Sequence, residues 1–334
     1  MSLDSRGVVP WLALATACTT GLGAGCEPQG RPETRRAVRP LARAKVPDGV
    51  GTRALRHVER IVALGPRHPG SQGHEKQLDY ICAELRKTGL EPILHEWTDP
   101  TEKLRFTNVT AAIRGEYPER VLLACHHDTK NTTDQSDRSH VFSFVGANDG
   151  GSGVGLLLAL APLLAKRANK ATIQLVFFDG EESLTWEWNG AARALFGSKK
   201  FVKDYRDRRM LGGEPRIAAL VLLDMVGRKD LRIQEETSST AALREILWSA
   251  AVATGHEKCF FGVSAAASDD HTPFLDAGIP SVDLLDLEEN PHWHKPTDTI
   301  DNLSAQSLQI VAEVVLTMLP EIEREYLPPR PAIR

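Results

Sequence analysis

Two adjacent acids, Glu181 and Glu182, close the apolar run Ile173-Gln-Leu-Val-Phe-Phe and follow Asp179-Gly180. Carboxylates beside the core end of a strand are costly as mere surface. Neighbours in a turn point in different directions, so one can ligate a metal while the other faces a substrate as general base. His126 and Asp128 stand two apart at the end of the apolar run 121–125 and share a face, so the carboxylate can hold the imidazole. Taken alone, that spacing is common and describes a structural, hydrogen-bonded histidine better. Asp149 lies in Gly146-Ala-Asn-Asp149-Gly-Gly-Ser152-Gly, directly before a helical pattern, where a cap and a metal-bridging carboxylate both fit. The segment matches neither phosphate-binding glycine pattern, an acid in it would repel phosphate, and it lacks the second glycine of a serine-hydrolase elbow. Asp224 follows Leu222-Leu223, and Asn290-Pro-His292-Trp-His294 supplies a late histidine. HExxH is absent, which excludes a helix-borne zincin site.

His126, Asp149, Glu182, Asp224 and His294 offer only nitrogen and oxygen, a set zinc accepts when no thiolate is present. Five ligands with one bridging carboxylate could hold two ions; three could hold one and leave a position open. The five cysteines, Cys18, Cys26, Cys82, Cys125 and Cys259, show no CxxC spacing and are too few for a disulfide scaffold. Cys125 adjoins His126 but points to the opposite face and reads as core.

Positioning these groups requires a sheet. Runs at 108–113, 121–125, 173–178, 218–223 and 281–285 are apolar throughout, the pattern of strands buried on both faces. Helical periodicity or capping signals fall at 51–64, 75–86, 152–168, 197–208, 240–254, 271–277 and 304–326. The expectation is one α/β domain over 48–328, a mixed, mostly parallel central sheet flanked by helices. Its strands' carboxyl ends deliver the acids and His126 to one edge, where open α/β sheets bind ligands.

The 334 residues are 42% apolar and 25% charged with a net charge of −4, which excludes a disordered or coiled-coil chain and gives no electrostatic footprint for nucleic acid. A short apolar stretch at 8–17, too short to span a bilayer, reads with 1–26 as an export signal, and small residues before Cys18 and Cys26 suggest a bacterial lipoprotein acylated at one of them. The expected location is therefore exported, either periplasmic or anchored to a membrane through lipid. Residues 27–47 are rich in proline and arginine and read as a flexible basic linker, with a patch for anionic lipid as the sharper alternative.

The ordered set Gly65-Pro-Arg…Gly70-Ser, His126-x-Asp128, Asp149-Gly, Glu181-Glu182, Asp224 and Trp293-His294 resembles the zinc aminopeptidase superfamily, which also contains the animal-type glutaminyl cyclases. The cyclase branch is favoured by Phe177-Phe-Asp-Gly-Glu-Glu182, by the insert from Ser183 to Ser198 that carries Trp186 and Trp188, by Ser268-Asp-Asp-His-Thr-Pro-Phe274 and by Trp293-His294. The resemblance implies one zinc on Asp149, Glu182 and His294, with Glu181 shuttling the proton. It also implies Asp270 as hydrogen-bond partner or relay, and Asp224 as a further acid of the site. Trp293 and either Trp186 or Trp188 would flank the substrate. Animal cyclases carry histidine where this chain has Asp283, a departure at a substrate-side position. The implied activity is that of an acyltransferase cyclising the N-terminal glutamine of a peptide or protein to pyroglutamate with release of ammonia. The alternative is an exported zinc aminopeptidase using two ions, the second on His126 and Asp224, and a non-enzymatic binding protein is the third reading.

Overall fold

Apolar strands with no polar side need helices on both faces, and the fold provides them. The computed structural model describes residues 36 and 38–329 apart from 134, 189 and 190. Eight strands form in the described residues: β1 (Ile93–Thr98), β2 (Arg105–Ile113), β3 (Tyr117–His126), β4 (Ala171–Phe178), β5 (Ile217–Asp224), β6 (Ile233–Glu236), β7 (Phe260–Ala265) and β8 (Ser281–Leu285). Six make the central sheet in the order β1-β2-β4-β3-β5-β8, while β6 and β7 pair separately. Strands β4, β3, β5 and β8 run parallel, and β1 and β2 join antiparallel at one edge.

Alternation along β3 shows how the two faces are filled. Val121, Leu123 and Cys125 enter the larger core, to which helices α1 (Val50–Val62), α2 (Gln72–Lys87), α3 (Gly151–Leu164), α5 (Ala241–Thr254) and α7 (Ala305–Tyr326) contribute. Leu122 and Ala124 enter a second cluster with Phe201, Val202 and Phe274 from α4 (Phe196–Met210) and α6 (Thr272–Asp276). Helix α3 is apolar all round, as a helix sandwiched in the core must be. A Cβ at its Gly153 would come within 2.5 Å of the Leu223 carbonyl and 2.6 Å of the Cys125 Cβ, so glycine lets the helix start lie directly on the sheet.

The mixed sheet and the helical positions agree with the sequence expectation. Strands β1, β6 and β7 were not anticipated: β1 exposes Ile93 and Leu94 and has no continuous apolar run. The 38–47 part of the expected linker needs a larger correction, and residues 27–35 and 37 lie outside the described residues. From residue 38 the described chain lies on α5 and α7: Arg39 pairs with Glu245 at 3.0 Å and with Glu325, Arg43 pairs with Glu313 at 2.7 Å, and the Ala44 N–H donates to Thr317 at 3.1 Å. Arginines that look merely solvated in sequence have acidic partners that only the helix faces bring together. The expected export signal at 1–26 lies outside the described residues.

Candidate active site

The parallel strands end at one edge, and the chemistry collects there. His126 is the last residue of β3, Asp224 the last of β5, and Glu181 and Glu182 follow β4 across Asp179-Gly180. Asp149 sits just before α3. Its neighbour Gly150 has φ +77°, and a Cβ there would stand 2.5 Å from the Asp128 carbonyl and 3.1 Å from the His126 ring, so the turn admits glycine alone. His294 and Met225, beside Asp224, hold left-handed φ values of 50° and 51°, strain of the kind that persists where surroundings over-determine a functional position.

Asp149, Glu182 and His294 converge. His294 Nε2 lies 3.1 Å from Glu182 Oε2 and 3.5 Å from Asp149 Oδ2, and the three residues offer ligand atoms all within 4.8 Å of one another. All three are buried, yet Asp149 Oδ2 and Glu182 Oε2 lack hydrogen-bond partners. Burial and then Glu182 push the Asp149 carboxyl up to about 7, while Glu182, despite its own burial, is held at about 2 by His294 and then Lys130. Orphaned carboxylate oxygens around a histidine nitrogen are the donor set of a divalent cation, and the residues fit zinc. His126, Asp149 and Asp224 form a second such group, with His126 Nε2 3.0 Å from Asp224 Oδ1 and 3.2 Å from Asp149 Oδ1.

Buried polar groups hold these segments in register. The Asp128 carboxylate accepts the backbone N–H groups of Glu181 and Glu182 at 3.1 and 3.3 Å, fixing the turn that presents both acids. Lys130, fully buried, donates to the carbonyls of Ser183 and Thr185 at 2.8 and 2.9 Å and lies 3.7 Å from Glu182, so it pins the start of the tryptophan-bearing insert. Asp298 accepts from the backbone of Asn148 and Asp149. Arg67, also fully buried, caps the carbonyls of Val145 and Gly146.

A cavity of about 330 Å³ opens over the convergent ligands, lined by Glu181, Asp224 and Asp269 as well as by Trp188, Trp293 and apolar residues such as Leu285 and Leu287. Burial raises the Glu181 carboxyl well above the usual range, and burial with Asp224 lifts Asp269 to about 6. Trp293 stacks on His294 with ring centroids 4.3 Å apart, and Trp186 leans over the same ring at 5.8 Å. Of the two insert tryptophans, Trp188 reaches this cavity and Trp186 lines an adjoining outer groove.

Two expected residues stand elsewhere. Asp269, rather than Asp270, faces the cavity; Asp270 is fully buried near Ser198, because consecutive side chains in the turn that enters α6 diverge in direction. Asp283 does not touch the cavity. It lies two residues short of the end of β8, inside the sheet and 3.5 Å from His271 Nδ1, whose other nitrogen is 3.2 Å from Glu236. Lys130, Asp269 and Asp298 were not singled out from sequence. Lys130 stands two residues after Asp128 and Asp298 four after His294, while Asp269 lies inside the Ser268–Phe274 motif, but only the fold shows what each one meets.

A model of peptidase family M28 matches residues 108–319. A glutaminyl-peptide cyclotransferase-like protein of Bos taurus is 30% identical over 281 residues, covering 76% of this chain and 72% of its own. Among solved structures, an Acidobacteriales bacterium glutaminyl cyclase is 31% identical with a TM-score of 0.75, over 86% of this chain and 99% of that one. A Zn-dependent exopeptidase from Parabacteroides distasonis is 29% identical with a TM-score of 0.72, over 85% and 100%. With a family match across more than half its length, set on a site where two carboxylates and a histidine converge at the sheet edge, the chain belongs to peptidase family M28.

Proposed function

We propose that this protein is a zinc-dependent glutaminyl cyclase, converting the N-terminal glutamine of peptides or proteins to pyroglutamate with release of ammonia. The observation that carries the reading is the small, tryptophan-walled cavity set directly on Asp149, Glu182 and His294 with the Glu181 carboxyl facing into it. One zinc ion held by those three residues would act as a Lewis acid on the γ-carbonyl of the glutamine.

The chain's own residues supply the remaining work. In the reaction the α-amine nitrogen bonds to the side-chain amide carbon, the bond from that carbon to the amide nitrogen breaks, and ammonia departs. Glu181, buried at the cavity wall, takes a proton from the attacking amine and returns it to the leaving nitrogen. Asp269 and Asp224 line the same wall, where Asp269 would hydrogen-bond the reacting amide. Trp188 and Trp293 flank the side chain and exclude water. The nucleophile is tethered within the substrate, so positioning replaces the activation of water and one ion suffices.

The second reading is an aminopeptidase with two ions, favoured by the His126, Asp149 and Asp224 group and by the resemblance to a Zn-dependent exopeptidase. Incubation with Gln-initiated and Leu-initiated peptides separates the two: ammonia release supports the cyclase, and liberated leucine the peptidase. We also propose that the chain is exported and anchored through a lipidated Cys18 or Cys26.

A further inference from the structure

Outside the catalytic cavity lies a second concavity of about 680 Å³, and Trp188, Trp293 and His294 line both. We infer that this outer groove is the subsite for the second residue of the peptide substrate and that it selects a large apolar or aromatic side chain there. The inference rests on the cyclase reading, since it takes the glutamine to fill the inner cavity.

Two loops build the groove, and both are keyed to the metal-site histidine. Trp186 of the insert stacks on His140 of the 131–145 loop, centroids 3.6 Å and planes 7° apart. Phe142 meets Trp186 edge-on at 6.5 Å, while Phe144 meets both Phe142 and His294 edge-on. The Thr132 hydroxyl donates to the Phe142 carbonyl at 2.5 Å, closing the loop on itself. The walls are thus set before a substrate arrives, which limits the ordering cost of binding.

The lining points to apolar cargo. Trp293 and Val141 are 38% and 37% exposed, large apolar surfaces that face the groove and gain from being covered. The fixed charges at the groove, Glu187 and Lys295, are of opposite sign and give a charged side chain no net attraction. A peptide whose N-terminal side chain points at His294 has its second residue where the two concavities meet. The groove is therefore continuous with the site and opens where the chain must leave it.

The test compares kcat/KM for ammonia release from Gln-Phe-Ala and Gln-Gly-Ala by the purified protein and by two variants of the outer lip, His140→Ala and Val141→Asp. The expected ratio is about tenfold or more in favour of Gln-Phe-Ala, falling to within about threefold of unity in each variant. Val141 belongs to none of the hydrophobic clusters of the core, so it keeps the test open if His140→Ala misfolds. Equal kcat/KM for the two peptides in the unaltered protein, with ammonia released from both, would overturn the subsite and leave the cyclase reading standing. A strong preference that survives in both variants would also overturn it, by placing the selectivity elsewhere. Ammonia from neither peptide would remove the cyclase reading itself and the subsite with it.

Discussion

Asp298 accepts the backbone N–H of Asp149 through Oδ2 at 3.0 Å. Its other oxygen takes the N–H of Asn148 at 2.8 Å. The pair ties the turn before α3 to the loop carrying His294, four residues upstream of Asp298, so two of the three convergent ligands are held by one carboxylate. Burial raises the Asp298 carboxyl to about 6, against the pull of the two backbone donors.

Replacing Asp298 should therefore act on metal retention. In Asp298→Asn one acceptor becomes a donor facing a backbone N–H, and the expected result is a tenfold to hundredfold loss of zinc affinity, as for other residues that orient ligands. Competition with a chromogenic zinc chelator measures it; unaltered affinity would show that the Asp149 turn holds without this tie.

Glu181 and Glu182 are adjacent but differently used. Glu181→Gln should lower turnover by about 10²-fold or more while zinc content stays near that of the unaltered protein, because it removes only the proton acceptor. Glu182→Gln should lose zinc. The reverse pattern, read by elemental analysis beside an ammonia assay, would exchange the two roles.

Much of this was legible in the sequence because it rests on local rules. Uniformly apolar runs gave β2, β3, β4, β5 and β8, and polar residues just past them marked the catalytic edge. What was not legible depends on facing directions across long separations. Asp269 and Asp270 are indistinguishable as a dipeptide, and only the entry into α6 decides which one meets the cavity. Lys130 looks like a surface lysine until the Ser183 and Thr185 carbonyls close over it. Strand β1 lies at an exposed edge, where only His95, against Thr110, and Trp97, stacked on Phe106, are even half-buried, so side-chain periodicity carries little signal.

Acid should destabilise the fold partly through Glu236. Despite burial, His271, Ser239 and the Ser238 N–H hold this carboxyl down at about 2. A depressed folded-state value means its stabilisation is fully present above the unfolded value of about 4.5 and is lost as pH falls toward 2. The linked contribution is on the order of 3 kcal/mol. Urea midpoints at several pH values should fall more steeply between pH 4.5 and 2 for the unaltered protein than for Glu236→Gln; parallel slopes would remove Glu236 from the account.

Export and anchoring are tested on the whole chain. Expressed in a Gram-negative host, it should be processed and partition with membranes, and Cys18→Ser or Cys26→Ser should release it into the soluble fraction. Mass spectrometry finding an intact Met1 terminus on soluble protein would refute the anchor.

The most direct test of the central claim is the fate of the amide nitrogen. Purified protein of measured zinc content is incubated with Gln-Gly-Ala and with Leu-Gly-Ala, and ammonia, free amino acids and the remaining peptide are quantified. The expected result is ammonia in amounts equal to pyroglutamyl peptide formed, no free leucine, loss of activity on zinc removal and its return on zinc addition, with stoichiometry nearer one ion than two. Free leucine released by protein carrying two zinc ions, with Gln-Gly-Ala left uncyclised, would contradict it.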